Sequence, residues 1–256
     1  MKLIPIAYLL ISLLSLTACS QNSPRTTSGH QKEKTTKHIG GRCEGCEAVF
    51  ESPIPFDKLS WTDTLPDFNG PGPKMVISGV IYQVDGKTPA KDVVLYIYHT
   101  DQKGEYTDKD HGRGWERRHG YIRGWMKTNE KGQYRFYTLQ PASYPNTTAV
   151  KHIHPTIKEP GKNEYWIDEF IFDDDPFLTP ERRKEHQQRG GDGIIILKNE
   201  NGILVGERNI YLGKNIPDYP AALLKQKTES STVATVYPEN PFMLSALIPH
   251  WESILQ

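Results

Sequence analysis

Met75-Val76-Ile77-Ser78-Gly79-Val80-Ile81-Tyr82-Gln83-Val84 is a β-rich run that stops at Asp85-Gly86, a pair suited to a tight turn. The same grammar recurs on either side of it at short intervals. Val93 to His99 is a second run, and Gln133 to Leu139 alternates after the turn signal Lys131-Gly132. Lys151 to Ile157, Tyr165 to Phe172, Gly193 to Lys198 and Ile203 to Leu212 follow, the last two joined across Asn201-Gly202. Thr179-Pro180-Glu181 opens the one convincing helical turn, with threonine as cap and proline at the first helical position. Many short strands at this spacing predict an all-β fold, an antiparallel β-sandwich with long loops and a short helix. From Ile216 onward proline-broken segments suggest a C-terminal tail, 216–256, packed along the sandwich or partly free.

The N-terminus reads as an address. Lys2 precedes an apolar run from Leu3 to Leu16, shorter than the roughly 20 residues of a membrane-spanning helix and suited to the core of a signal peptide. Leu16-Thr17-Ala18-Cys19 then resembles a bacterial lipobox, so residues 1–19 are expected to be a lipoprotein signal with Cys19 lipidated. An ordinary cleaved signal with a chance cysteine is the alternative. A polar linker, 20–40, would lead to a folded domain, 41–215. The chain is thus expected to be exported and lipid-anchored to the cell envelope, touching the membrane through its acyl chains alone. Ser20 after the cysteine points to outer-membrane sorting by resemblance to Gram-negative lipoproteins.

Of the three cysteines, Cys43 and Cys46 remain, as Cys43-Glu44-Gly45-Cys46. In an oxidising compartment a local disulfide is the default reading. A redox pair or half of a zinc site are the alternatives, but no second cysteine pair and no thioredoxin-like pattern accompanies them. Lys+Arg and Asp+Glu balance at 31 each, and the aromatics are not interleaved with a basic stripe. Neither a nucleic-acid footprint nor a polybasic membrane surface is expected.

The chemistry-bearing constellation is His152-Ile153-His154 with Tyr106 and Tyr144 upstream. On a strand, residues i and i+2 share a face about 7 Å apart, so both imidazoles can reach one metal ion. A tyrosine ligates only after losing a proton near pKa 10, which takes a hard, highly charged cation, whereas imidazole suits iron, copper or zinc. The mixture leans to Fe(III). Each tyrosine could instead pack its ring at a strand end with the hydroxyl in water. His99, His111 and His119 read more simply as surface or loop histidines, and Asp173-Asp174-Asp175 as a turn with solvated charges. Arg113, Arg117, Arg118 and Arg123 with Trp115 and Trp125 read as a solvated basic loop that also roofs a pocket.

These pieces together, Val80 to Ala90, Val94-Leu95-Tyr96-Ile97-Tyr98, Gly104-Glu105-Tyr106, Thr128 to Phe136, Pro141-Ala142-Ser143-Tyr144-Pro145 and His152-Ile153-His154, resemble the intradiol ring-cleavage dioxygenases, the catechol and protocatechuate group, over about residues 72 to 176. The resemblance implies a non-haem Fe(III) held by Tyr106 and His152 as equatorial ligands and Tyr144 and His154 as axial ones. It implies cleavage of a catechol-type aromatic by O₂ to a muconate-type diacid, with Tyr144 taking up a substrate proton. Self-association is compatible with it. Two departures stand out. The family usually carries an arginine three residues before the first histidine, where this chain has Ala149, and often a glutamine after the pair, where it has Glu169. Lys151 would point to the face opposite His152, so Arg123 is the candidate replacement cation. Glu169 would oppose carboxylated catechols. A metal-free reading also fits the strand pattern: Gly79 to Tyr98 and Gly132 to Leu139 resemble transthyretin-like or prealbumin-like binding sandwiches, which have no reason to keep a Tyr/His quartet.

Overall fold

The computed structural model describes residues 38–109 and 111–220. The expected signal peptide with Cys19, the linker up to residue 37 and the tail from residue 221 lie outside the described residues. The described elements are a 3-10 turn Cys46–Glu51, a second at Phe56–Lys58, β1 (Thr62–Thr64), β2 (Lys74–Tyr82), β3 (Val94–Tyr98), α1 (Glu116–His119), β4 (Arg123–Lys127), β5 (Gln133–Leu139), β6 (His152–Lys158), β7 (Tyr165–Trp166), β8 (Phe170–Phe172), α2 (Pro180–Glu185), β9 (Ile194–Ile195), β10 (Lys198–Glu200), β11 (Ile203–Glu207) and β12 (Ile210–Tyr211). The all-β expectation is met. Thr179 caps α2 by accepting from the Arg182 amide, and Pro180 opens it. Among the described residues no helix is long and apolar enough to cross a membrane.

Two sheets form, one ordered β1-β5-β2-β11-β10 with β12 also on β2, the other β4-β3-β6-β8-β9 with β7 on β6. The hairpin-related pairs β2/β5, β3/β4 and β3/β6 are antiparallel as expected. The pairs β1/β5, β11/β2, β12/β2 and β8/β9 are parallel, so both sheets are mixed. Strands β11 and β12 return to β2 only after the chain has passed through the second sheet, and a crossover of that length permits parallel entry. The run Tyr165 to Phe172 is two strands, because Asp168 leaves the ladder and its carbonyl accepts from Arg208 Nη1 at 2.8 Å. The run Ile203 to Leu212 breaks at Arg208 and Asn209, where Asn209 Oδ1 takes the Val80 amide at 2.9 Å.

Alternation on β2 turns Met75, Ile77 and Ile81 inward, and β5 adds Tyr134 and Phe136. Leu95 and Ile97 of β3, Ile153 and Ile157 of β6, and Phe170 and Phe172 meet them from the second sheet. The opposite face of β3 is also covered. Val94, Tyr96 and Trp125 pack against Ala48 and Val49 of the first 3-10 turn, and Trp125 Nε1 donates to the Val49 carbonyl at 2.9 Å. Trp125 is therefore a buried anchor and not a pocket roof. At the C-terminal end Ile216 joins the main core, and Tyr219 Oη donates to the buried Glu159 carboxylate at 2.9 Å, so residues 216–220 pack on the sandwich.

Two histidines read from sequence as surface groups are buried. His99, 1% exposed, lies with Nδ1 2.7 Å from the Thr100 carbonyl and Nε2 2.7 Å from Thr138 Oγ1. The carbonyl can only accept, so Nδ1 carries the proton and Nε2 accepts from the threonine hydroxyl. His119 is 5% exposed, accepts from or donates to Tyr96 Oη across 2.9 Å, and stacks on Tyr98. Asp175 is also buried, its two oxygens taking the Lys151 and Phe177 amides at 2.8 Å. Local sequence could not reveal these burials, since each is created by a partner from a distant strand.

Burial lowers the His99 pKa to about 4, below the ordinary value of 6.5. The unfolded chain therefore binds the proton first, and stability present above pH 6.5 is lost as pH falls toward the folded value. Acidification from pH 7 to pH 5 is expected to remove on the order of 2 kcal/mol through this one group. Urea midpoints measured across that interval should show a flatter slope for His99→Gln than for the parent chain.

Candidate metal centre

The site is built on the outer face of the second sheet. Pleating places His152 and His154 of β6 on one face and sends Ile153 between them into the core. Register then sets their neighbours: His154 lies opposite Tyr98 of β3, and Tyr98 opposite Arg123 of β4. The Tyr98 ring stacks on His154 with centroids 4.6 Å apart and on His119 at 3.7 Å, fixing the plane of the His154 ring. Asp175, through the Lys151 amide, fixes the start of β6.

The tyrosines come from two loops. Tyr106 follows β3 and Tyr144 precedes β6. Gly104 brings the loops together: its φ is +80°, and a Cβ there would lie 2.0 Å from the Ser143 carbonyl oxygen. Only glycine combines that left-handed backbone with so close an approach of two chains.

The four polar tips meet. Tyr106 Oη is 2.8 Å from Tyr144 Oη, which is 3.0 Å from His152 Nε2; His152 Nε2 is 3.0 Å from His154 Nε2, and His154 Nε2 is 2.9 Å from Tyr106 Oη. Four donors thus close a ring with edges of 2.8–3.0 Å. Donors bound roughly 2.0–2.1 Å from one metal at right angles stand ~2.9 Å apart by elementary geometry. The outer nitrogens set the tautomers. His152 Nδ1 is 2.7 Å from the Val150 carbonyl, which only accepts, so the proton sits on Nδ1 and the neutral ring turns its Nε2 lone pair inward. His154 Nδ1 faces Glu169 Oε1 at 3.8 Å. Burial, then His152, holds His154 well below the usual imidazole range, keeping it neutral. Burial, then the hydrogen bond to Tyr144, raises Tyr106 far above the usual phenol range. Inward lone pairs and phenols that ionise only against a strong positive charge are a donor set suited to a hard, highly charged cation. Among the described residues no cluster of three or more His, Cys, Asp or Glu side chains could hold a metal; the donors gathered here are half phenolic.

Two clefts flank the ring. One, of about 430 Å³, is lined by Ala149, His152, Asp168, Glu169 and Arg182 among others. The second, of about 290 Å³, reaches His154 and Tyr98 beneath the Cys43–Cys46 loop. Cys43 and Cys46 are joined as a disulfide with Cα atoms 5.7 Å apart. Trp166 and Glu169 line both clefts. Arg123 is placed beside Tyr98, but its guanidinium is engaged by Glu51 at 2.6 Å and Glu116 at 3.6 Å, so its charge is answered locally. Arg118 pairs with Glu44 at 2.7 Å. Sequence reasoning missed Tyr98, His119, Asp168 and the disulfide loop as surroundings of the site. Only the alternation Tyr96-Ile97-Tyr98 hinted at the first, and register alone puts it on His154.

Gly104→Ala is expected to be much costlier than Gly161→Ala. Both residues have positive φ, +80° and +71°, but a Cβ at Gly161 meets nothing within 4 Å. The backbone penalty of roughly 1–2 kcal/mol applies to both, and the clash with Ser143 adds only to the first. Urea denaturation of the two variants measures the difference, which is the stability cost of prising the tyrosine loops apart.

Known proteins bear on the site as follows. The dioxygenase family described as Dioxygenase_C matches residues 52–183, just over half of the chain and all four ring residues. No match was found among curated proteins. Among solved structures, the dioxygenase domain of a dioxygenase carbohydrate-binding protein fusion from Streptomyces sp. SirexAA-E is 21% identical, covering 56% of this chain and 80% of that one, with a TM-score of 0.43. Catechol 1,2-dioxygenase from Pseudomonas arvilla C-1 is 17% identical over 59% of this chain and 56% of its own, TM-score 0.46. 3-Chlorocatechol 1,2-dioxygenase from Rhodococcus opacus 1CP is 19% identical over 59% and 64%, TM-score 0.45. The chain thus spans less than two thirds of the length of these two catechol enzymes. On the strength of the family match, the chain belongs to the intradiol ring-cleavage dioxygenases.

Proposed function

We propose that the protein cleaves a catechol-type aromatic between its two hydroxyl-bearing carbons, using O₂ and an Fe(III) held by Tyr106, Tyr144, His152 and His154. The observation that carries this reading is the closed ring of two phenol oxygens and two imidazole nitrogens, with the His152 tautomer set by Val150. Ferric iron, when bound, supplies Lewis acidity that stabilises a catechol as its dianion and so readies the ring for O₂ and opening to a muconate-type diacid. The remaining work falls to the chain. Tyr144, on a loop whose following residues Pro145 to Thr148 are exposed, would hold the metal through Oη and would be the group placed to take up a substrate proton there. Tyr106, two residues past the Gly104 crossing and edge-on to Tyr144, would hold the metal through its own Oη. The 430 Å³ cleft beside His152 receives the ring, with Ala149, Ile171 and Leu178 giving apolar contact. Glu169 and the absence of an arginine at position 149 disfavour carboxylated catechols.

Loaded with Fe(III), the chain is expected to show a visible absorption band from tyrosinate-to-iron charge transfer, consume O₂ with catechol and release a ring-opened diacid. Tyr106→Phe should lose colour and metal together, since it removes one anion from the ring. A colourless, iron-loaded protein inert toward catechols would overturn the proposal.

The site is placed in an exported, lipid-anchored chain on the reading of Leu16-Thr17-Ala18-Cys19 as a lipobox. Cys19→Ala should then lose acylation by mass spectrometry and leave the membrane fraction. Unchanged fractionation with no acyl adduct on the parent would remove the anchor.

A further inference from the structure

Glu169 is the charged residue common to both clefts, and its carboxylate, 40% exposed, has His154 Nδ1 at 3.8 Å as its one ion-pair neighbour among the described residues. Its neighbour Asp168 lines the larger cleft while 3% exposed, and its Oδ2 is buried with no hydrogen-bond partner. The group closest to that oxygen by ion-pair geometry is His186 Nδ1 at 3.8 Å, on the same cleft wall. Glu185 adds a third carboxylate to this cleft.

Arg208 acts on Asp168 and Glu169, and Arg189 on Asp168, through space, but neither closes an ion pair with a carboxylate of the cleft. Arg182, the one guanidinium lining the larger cleft, donates to the carbonyls of Thr148 and Phe177 and to Thr148 Oγ1. Arg189 gives Nη2 to the carbonyls of Gly40 and Trp166 and lies over the Trp166 ring. Arg208 gives Nη1 to the Asp168 carbonyl and sits over Phe170, behind the wall. Among the described residues none of the three forms an ion pair with the side chain of Asp168 or Glu169. Ala149, at the place where the family's arginine would stand, lines the same cleft and offers no charge.

We infer that the cleft beside His152 is a subsite for a positively charged substituent, so that the preferred substrates are catechols bearing a protonated amine on a short side chain, recognised by Glu169 with Asp168 and Glu185 behind it. Resting on the ring-cleavage reading, this adds to it a substrate class. An ammonium entering the cleft gains the part-exposed Glu169 carboxylate, which forms no ion pair with a lysine or arginine among the described residues, while the buried Asp168 carboxylate adds negative charge behind it. A carboxylate entering the same space meets three carboxylates, Glu169, Asp168 and Glu185, against the one guanidinium of Arg182.

Isothermal titration of the Fe(III)-loaded chain without O₂, with catechol, an aminoethyl catechol and a carboxyethyl catechol, tests it. The aminoethyl compound is expected to bind at least about tenfold tighter than the carboxyethyl one, from a charge contrast at effective dielectric values of a partly exposed site. Glu169→Gln, isosteric and half-exposed, should shrink that ratio severalfold, and 0.5 M NaCl should shrink it in the parent chain. Equal affinities for the two charged compounds, or a ratio untouched by both Glu169→Gln and salt, would overturn the subsite while catechol itself still bound. Failure of catechol itself to bind would overturn the ring-cleavage reading and the subsite with it.

Discussion

The pleat of a single strand governs the site. His152 and His154 stand two residues apart on β6, so the sheet must show both imidazoles on one side and bury Ile153 on the other. A one-residue slip of β6 against β3 would put both rings into the core and Ile153 against the tyrosines. The register is therefore locked from both faces. Ile153 and Ile157 interleave with Leu95 and Ile97 on the inner side, and the Tyr98 ring stacks on His154 on the outer side. The donor ring inherits its precision from this double packing, since neither tyrosine loop carries a strand ladder of its own.

Burial and second-layer partners then convert geometry into chemistry. Val150 fixes the His152 proton on Nδ1, and burial keeps His154 neutral, so the nitrogens aimed inward are bases with lone pairs. The same burial makes it costly for Tyr106 to ionise unaided. Neutral imidazoles and phenols crowded tip to tip are a donor set that a multiply charged cation would suit. Burial and the ring contacts together shift Tyr106 up and His154 down.

The surroundings divide sharply by charge. Around α1, Arg118 pairs with Glu44 and Arg123 with Glu51 and Glu116, and Asp173 is held by Arg183 at 2.6 Å. Glu169 and Asp168 stand apart because they fall between β7 and β8, where the chain leaves the ladder and turns both residues toward the cleft. Arg208, buried with its Nε and Nη2 unpartnered, draws the Asp168 carbonyl away from β6 and so creates that gap.

The sequence alone determined the elements whose signal is local. A β-rich run closed by Asp85-Gly86 marked β2, alternation marked β5, Thr179-Pro180 marked α2, and His152-Ile153-His154 with two tyrosines marked the donor set, because composition, parity and ligand chemistry need no knowledge of distant partners. Extended runs at 165–172 and 203–212 looked continuous for the same reason: nothing within them announces that Asp168 and Arg208 will bond to each other across the fold. Tertiary structure decided which strands pair in parallel, that His99, His119 and Asp175 are buried, that Arg123 is held by carboxylates, and that Tyr98 and the Cys43–Cys46 loop border the site. Each of these depends on what a side chain meets from a segment tens of residues away, and burial, the largest cause of the pKa shifts at His99, Tyr106 and His154, exists only once those segments have packed.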